Sequence, residues 1–93
     1  MAEFLVELYV SREATGAVEL DLERARLAAE ELTSEGTPVR CVRSILVPDD
    51  ETCLCLYDAV SMEAVHEMSA RAGLELERIS VAIASGSDGE VER

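Results

Sequence analysis

The sequence predicts an α+β fold in which a four-stranded antiparallel sheet carries two helices on one face. Four short segments, around residues 4–10, 39–47, 52–58 and 79–83, alternate apolar and polar side chains or are rich in β-branched ones, which is typical of strands. Two longer segments between them repeat apolar residues at three- and four-residue steps, the period of a helix. The order β-α-β-β-α-β, with short connections, therefore predicts two interlocked right-handed β-α-β units.

The first strand and the first helix are predicted from the N-terminal third of the chain. Alternation along the strand separates Phe4, Val6, Leu8 and Val10 from Leu5, Glu7 and Tyr9. Asp21 is predicted to cap a helix that Gly36 ends, with Pro38 just beyond. The buried side of this helix is predicted to consist of Val18, Leu22, Ala25, Ala28, Ala29 and Leu32.

The rest of the chain predicts a hairpin, a second helix and a last strand. A strand rich in β-branched residues is predicted at Val39–Val47, and the turn residues Pro48–Glu51 lead into another strand at Thr52–Asp58. Ser61 is predicted to cap the second helix and Gly73 to end it. The apolar side of that helix consists of Met62, Val65, Met68 and Ala72, and the fourth strand alternates through Ile79, Val81 and Ile83.

This order of elements makes a ferredoxin-like βαββαβ sandwich with the first and third strands at the centre of the sheet. We expect a single domain over residues 1–84 and a disordered acidic tail over residues 85–93, where no periodicity or bulky side chain occurs. With both helices on one face, the other face of the sheet stays uncovered. A homodimer that packs face to face is the simplest way to cover it.

The negative net charge of the chain excludes some classes of binding partner. It carries 20 acidic and 8 basic side chains, a net charge of −12, which repels nucleic acid and anionic membrane surfaces. No apolar run approaches the ~20 residues that span a bilayer, and Met1–Glu3 lacks the basic segment of a secretory signal. We therefore expect a cytoplasmic protein whose three cysteines are reduced.

The uncovered face is predicted to be semi-apolar. If Phe4, Val6, Leu8, Leu54 and Leu56 face the helices, the uncovered face holds Leu5, Glu7, Tyr9, Cys53, Cys55 and Tyr57. Cys41, Arg43 and Ile45 join this face if Val42 and Leu46 face the core, but the orientation of that strand stays ambiguous. A semi-apolar face on a small domain is typical of a surface for a partner or a ligand.

No catalytic motif occurs in the sequence, so whether the protein is an enzyme stays open. Candidate ligand-binding residues on the uncovered face are Glu7 as a base, Tyr9 and Tyr57 as donors, and Arg43 as an anchor for an anion. By analogy of fold, such a set is compatible with a cofactor-free isomerase or monooxygenase. The simpler interpretation of Glu7 and Arg43 is an ion pair across strands or subunits, and we favour a protein that binds a small ligand or a partner.

Metal binding is a further alternative. Cys53 and Cys55 project from the same side of one strand, and with Glu7 and a second subunit they could hold a divalent ion. The simpler interpretation is that two small residues pack at an interface. The single histidine, His66, is interpreted as an ordinary residue of the second helix.

Several segments carry a pattern found elsewhere: Gly36-Thr37-Pro38-Val39-Arg40, Arg43-Ser44, Val47-Pro48, Asp50-Glu51-Thr52-Cys53, Ala64-Val65 and Arg71-Ala72-Gly73. In them the chain resembles a widespread bacterial family of unknown function that includes a small nickel-binding protein. The resemblance covers residues 3 to 84 and implies a ferredoxin-like fold assembled as a dimer related to dimeric α/β barrels, and a divalent metal such as nickel. Members that bind nickel carry several histidines near the end of the first strand, where this chain has Tyr9-Val10-Ser11-Arg12. Those histidine ligands are therefore missing from this chain.

Overall fold

The structure, a computed structural model, describes residues 1–83 and has the predicted ferredoxin-like fold. Its strands are β1 (Ala2–Tyr9), β2 (Val39–Val47), β3 (Thr52–Ala59) and β4 (Arg78–Ala82), and its helices are α1 (Val18–Ser34) and α2 (Met62–Ala72). The sheet is antiparallel with the order β2-β3-β1-β4, so the first and third strands are central as predicted. The predicted tail over residues 85–93 lies outside the described residues.

Helix α1 begins earlier than predicted. A 3₁₀ helix at Arg12–Ala17 runs directly into α1 at Val18, and Ala17 stands at the N-cap without a side-chain hydrogen bond. Asp21 therefore lies inside the first turn, where its carboxylate, like that of Glu19, interacts favourably with the positive end of the helix dipole. The prediction of an Asp21 cap is wrong because the preceding 3₁₀ turn continues into the helix.

Helix α2 begins and ends as predicted. Ser61 has extended backbone angles, and its Oγ accepts a hydrogen bond of 3.1 Å from the backbone N–H of Ala64. Gly73 closes the helix in the left-handed region at φ 73°, which a residue without Cβ adopts at little cost.

Replacing Ser61 with alanine is expected to lower the free energy of unfolding by about 1 kcal/mol, because the N–H of Ala64 loses its acceptor. Urea denaturation at fixed protein concentration measures the change. Ser61→Asp, which keeps an acceptor at the same place, is the control and should stay within about 0.5 kcal/mol of the parent. Equal losses in the two variants would contradict the cap.

The core lies between the helices and one face of the sheet. Met68 and Val65 of α2 are at most 1% exposed, and Val6 of β1 is equally buried. Helix α1 contributes mainly small side chains, Ala25, Ala28 and Ala29 with Leu32 and Val18, which let it approach the sheet closely. The predicted buried sides of both helices are confirmed, with Leu22 and Met62 partly buried at the margin.

The predicted orientation of β3 is wrong. Cys53, Cys55 and Tyr57 face the helices and are at most 2% exposed, whereas Leu54 and Leu56 lie on the face without helices. Both sides of this strand are apolar, so alternation alone could not distinguish them. The ladder decides the orientation, since Val6 and Cys55 are paired and opposite residues in an antiparallel pair share a face.

A β-bulge at Val42 explains why the orientation of β2 was ambiguous in the sequence. Before the bulge Cys41 is paired with Tyr57 and faces the helices, and after it Arg43 is paired with Leu56 and faces away. The extra residue shifts the alternation by one, so no single parity describes the whole strand. Ile45 therefore joins the face without helices, and Leu46 packs against the core.

None of the helices between residues 1 and 83 is long and apolar enough to cross a membrane.

Candidate functional site

The face of the sheet that carries no helix has an apolar centre. We call it the open face: the β1 residues Glu3, Leu5, Glu7 and Tyr9, and the residues of the other strands paired with them or in line with them across the sheet. Leu5 is paired with Leu56, and Leu54 is paired with both Glu7 and Ile45. The three leucines are partly buried and Ile45 is 49% exposed, so a small apolar patch is only partly removed from water.

Charged side chains border this patch in balanced numbers. They are three acidic residues, Glu3, Glu7 and Asp58, and three basic residues, Arg40, Arg43 and Arg78. Some are paired across strands, since Arg40 Nη2 lies 3.4 Å from Asp58 Oδ2 and Arg78 Nε lies 3.9 Å from Glu7 Oε2. These six strand residues therefore sum to zero on a chain whose net charge is −12, while Asp50, Glu51 and Glu77 lie at one end of the open face.

A cleft of about 950 Å³ lies on the other side of the sheet, between α1 and the edge strand β2. Leu22, Arg26, Ala29 and Thr33 of α1 form one wall at helical spacing. The strand wall includes Val39, Cys41 and Ser44, and Tyr57 of β3 lies at the base. We call this space the α1–β2 cleft.

One hydroxyl and three thiols form a short chain of weak contacts that leads from the cleft into the core. Ser44 Oγ donates to Cys55 Sγ at 3.6 Å and lies 3.6 Å from Cys41 Sγ, and Cys55 Sγ is 3.9 Å from Cys53 Sγ. The hydroxyl of Tyr57 has the Cys41 thiol as its neighbour and no oxygen or nitrogen partner within residues 1–83. Leaving a buried hydroxyl without a good acceptor costs roughly 1–3 kcal/mol. A ligand that offers an acceptor to Tyr57 would recover part of this free energy.

Burial keeps these groups uncharged. Burial raises the pKa of Cys55 to about 12, with the hydrogen bond from Ser44 opposing the shift, and burial also raises the pKa of Cys53. The pKa of Tyr57 is raised for the same reason. Thiolates are scarce here at neutral pH, which disfavours a nucleophilic role for Cys53 and Cys55.

The free energy of unfolding is expected to fall as pH rises above about 8.5. The Cys55 thiol titrates near its ordinary value in the unfolded chain and with a pKa of about 12 in the folded chain, so alkaline pH favours the unfolded state. This contribution is fully present below the unfolded pKa and is lost as pH rises, by at most ~1.4 kcal/mol per pH unit for one group. Urea denaturation between neutral and alkaline pH measures it.

Cys55→Ser should reduce that pH dependence, because a serine hydroxyl does not titrate in this range, and Cys53 and Tyr57, whose pKa values burial also raises, account for what remains. An equal slope in the parent and in Cys55→Ser would contradict the assignment.

Comparison with known proteins places this chain in a family. The family model described as "Nickel responsive protein SCO4226-like" matches residues 5–81. The chain belongs to the SCO4226-like family. Among solved structures it is similar to the crystal structure of SCO4226 from Streptomyces coelicolor A3(2), at 19% identity and a TM-score of 0.75, over 90% of this chain and 99% of that one. That likeness supports the shared fold, and no curated protein matches the sequence.

The residues predicted from the sequence as a site are divided between the two sides of the sheet in this SCO4226-like chain. Glu7 and Tyr9 lie on the open face as predicted, and Arg43, whose orientation was ambiguous, joins them, whereas Tyr57 faces the helices and lines the α1–β2 cleft. Glu7 has Arg78 as its charged neighbour on the adjacent strand, not Arg43. The four residues therefore do not form one constellation.

Within residues 1–83, Glu7 and Tyr9 line a depression of about 130 Å³ at one end of the open face, where an enzyme of this fold would need a pocket. Asp50, Glu51 and Glu77 line it together with them. Its carboxylates have neither an acid partner nor a dry cavity around them, so it offers little for acid–base chemistry.

Cys53 and Cys55 lie side by side, but they belong to the core and not to the open face. Within residues 1–83 no group of three or more His, Cys, Asp or Glu side chains is placed to hold a metal ion. His66 is exposed on α2, away from the thiols.

The α1–β2 cleft was not predicted, because it is a gap between two elements and no residue pattern marks it.

Proposed function

We propose that this member of the SCO4226-like family is a small homodimeric binding protein, in which the open faces of two subunits pack against each other. The observation that carries the proposal is the apolar patch of Leu5, Leu54, Leu56 and Ile45, which one subunit leaves partly exposed. Apolar surface removed from water stabilises a complex by roughly 25 cal/mol per Å². A second copy of the chain is a partner that is present wherever the protein is, at the protein's own concentration.

Charge complementarity supports a second copy over a different partner. Two chains with a net charge of −12 repel each other over most of their surface. The open face is the exception, because the three acidic and three basic residues of its strands sum to zero. A two-fold axis can bring Arg43 of one subunit near a carboxylate of the other, such as Glu7, so the same face is complementary to itself.

The proposed dimer leaves the α1–β2 cleft accessible, because the cleft lies on the helix side of the sheet. Each subunit can then bind a small ligand while the open faces form the contact. We place the protein in the cytoplasm, where three reduced cysteines are compatible with the redox environment.

Sedimentation equilibrium at micromolar protein tests the dimer. The expected mass is twice the subunit mass of 10.1 kDa. Raised salt should weaken the association only modestly, because the apolar patch contributes most of the free energy. A mass of one subunit throughout the micromolar range would overturn the proposal.

A metal-responsive protein is the second candidate, favoured by one observation. The Sγ atoms of Cys53 and Cys55 are 3.9 Å apart, close to the roughly 3.8 Å that two thiolates bound at ~2.3 Å to one tetrahedral ion would have. The family description names nickel responsiveness. Two thiolates can supply part of the ligand set for a divalent ion of this kind. The residues described provide no third ligand, so the pair alone is an incomplete nickel site.

Native mass spectrometry with added nickel or zinc tests this candidate. If the thiol pair binds the ion, uptake should be stoichiometric, should increase as pH rises because both thiols must lose protons, and should be lost in the double variant Cys53→Ser, Cys55→Ser. Cys41→Ser is the matched control and should keep the uptake. Full uptake by the double variant would remove the thiol pair from consideration.

A further inference from the structure

The α1–β2 cleft has the size of a small-molecule site. Its volume of about 950 Å³ lies at the upper end of the roughly 300–1,000 Å³ that ligand pockets span. Apolar groups from three elements contribute to its walls, namely Leu22 and Ala29 of α1, Val39 of β2 and the ring of Tyr57 of β3. Water in a space with such walls is easily displaced by an apolar molecule.

The polar groups of the cleft add a requirement that the ligand must meet beyond being apolar. Tyr57 is 2% exposed, and within residues 1–83 its hydroxyl has only the Cys41 thiol, a weak acceptor, beside it. A ligand oxygen that accepts from this hydroxyl would complete its hydrogen bonding. One acceptor at the base of the cleft is therefore the polar feature that a ligand should match.

The charged residues around the cleft select against a charged ligand. Three of them are acidic, Glu19, Glu23 and Glu30, and three are basic, Arg26, Arg40 and Arg43. Arg26 is paired with both Glu23 and Glu30 on the exposed side of α1, and Arg40 is paired with Asp58. The charges around the cleft cancel and most are paired, so the preferred ligand is uncharged.

We propose that the α1–β2 cleft is the ligand site of this protein and takes an uncharged, mainly apolar small molecule whose carbonyl oxygen accepts a hydrogen bond from Tyr57. This inference rests on the proposed binding function and specifies its ligand. It is separable from the dimer contact, because the cleft opens on the helix side of the sheet and shares only Arg40 and Arg43 of the edge strand with the open face.

The test uses Prodan, a neutral naphthalene dye with one carbonyl group, whose emission responds to polarity and to hydrogen bonding. Saturable binding of one dye per chain is expected, with emission shifted to the blue of that in water. Tyr57→Phe keeps the ring and removes the donor, and it should weaken binding about 5- to 10-fold.

Leu22→Trp fills the cleft from the α1 side and should weaken Prodan binding at least ~30-fold, because the larger ring occupies the ligand volume. Leu20→Trp is the matched control: the same change on the same helix, at a side chain that is 62% exposed and does not line the cleft. Its affinity should equal that of the parent. Circular dichroism establishes that each variant is folded, and if Leu22→Trp is not, the comparison of Tyr57→Phe with the parent decides alone.

The open-face variant Leu56→Arg separates this proposal from the dimer. Prodan affinity should be unchanged in it whether or not the dimer forms. Absence of saturable binding to the parent, equal affinity in Tyr57→Phe, or binding lost in Leu56→Arg and kept in Leu22→Trp would overturn the cleft as the site. Binding that weakens as the protein concentration rises would assign the cleft to a second copy of the chain and would also overturn the proposal.

Discussion

Replacing Leu56 with arginine is expected to convert the proposed dimer into a monomer. Leu56 lies at the centre of the open face, paired with Leu5 on one side and with Arg43 on the other. An arginine there removes apolar contact and places a second positive charge beside Arg43, twice in a two-fold dimer. A central apolar residue of an interface contributes about 2 kcal/mol or more, so the dissociation constant should rise at least ~30-fold.

Light scattering across the micromolar range measures this change. The control is Leu27→Arg, the same substitution on the outer side of α1, where the leucine is 52% exposed and away from both the open face and the α1–β2 cleft. It should leave the dimer intact. Equal masses for the two variants, with both folded by circular dichroism, would mean that the open face is not the contact.

Replacing Met68 with alanine is expected to lower the free energy of unfolding by about 2–4 kcal/mol. Met68 is 1% exposed and lies on the side of α2 that packs on the sheet, so its removal leaves a cavity in the core. A loss of this size is a large fraction of the 5–15 kcal/mol that typically stabilises a small domain. Because the variant is much less stable, its unfolding is measured at low temperature and from zero urea upward.

Met62→Ala is the matched control for that measurement, because Met62 is the first residue of the same helix and is only partly buried. Its loss should be less than half that of Met68→Ala. Both are compared by urea denaturation at one protein concentration, since the stability of a dimer depends on concentration. Equal losses would indicate that α2 packs in a different orientation.

The order and type of the main elements could be predicted because local patterns specify them. Alternation marks β1, Ser61 and Gly73 mark the ends of α2, and the bounds of β2 match Val39–Val47. In each case the interaction that decides the structure is made within a few residues along the chain, so a single sequence contains it.

The orientation of β3 could not be predicted because it depends on a pairing between distant residues. Leu54 and Leu56 are larger than Cys53 and Cys55 and appeared the better core residues, yet the ladder with β1 places the cysteines under the helices. The leucines on the open face become intelligible if another subunit covers them. The misassigned strand thus coincides with the surface to which we assign the dimer contact.

The candidate site was predicted only in part for the same reason. Glu7, Tyr9 and Arg43 are on the open face because β1 and the second half of β2 follow simple alternation, whereas the bulge at Val42 turns Cys41 to the other side. Tyr57 moves with the rest of β3 into the α1–β2 cleft. A cleft of this kind arises from how far a helix covers a sheet, which side-chain patterns do not encode.

The most direct test of the dimer contact is a nuclear magnetic resonance measurement on mixed dimers, in which one subunit carries isotope-labelled methyl groups and the other does not. Contacts between subunits should be observed for the methyl groups of Leu5, Ile45, Leu54 and Leu56 and should be absent for Leu20 and Leu27 on the exposed side of α1. Intersubunit contacts confined to the helix side, with the open-face methyl groups contacting only their own subunit, would contradict the account.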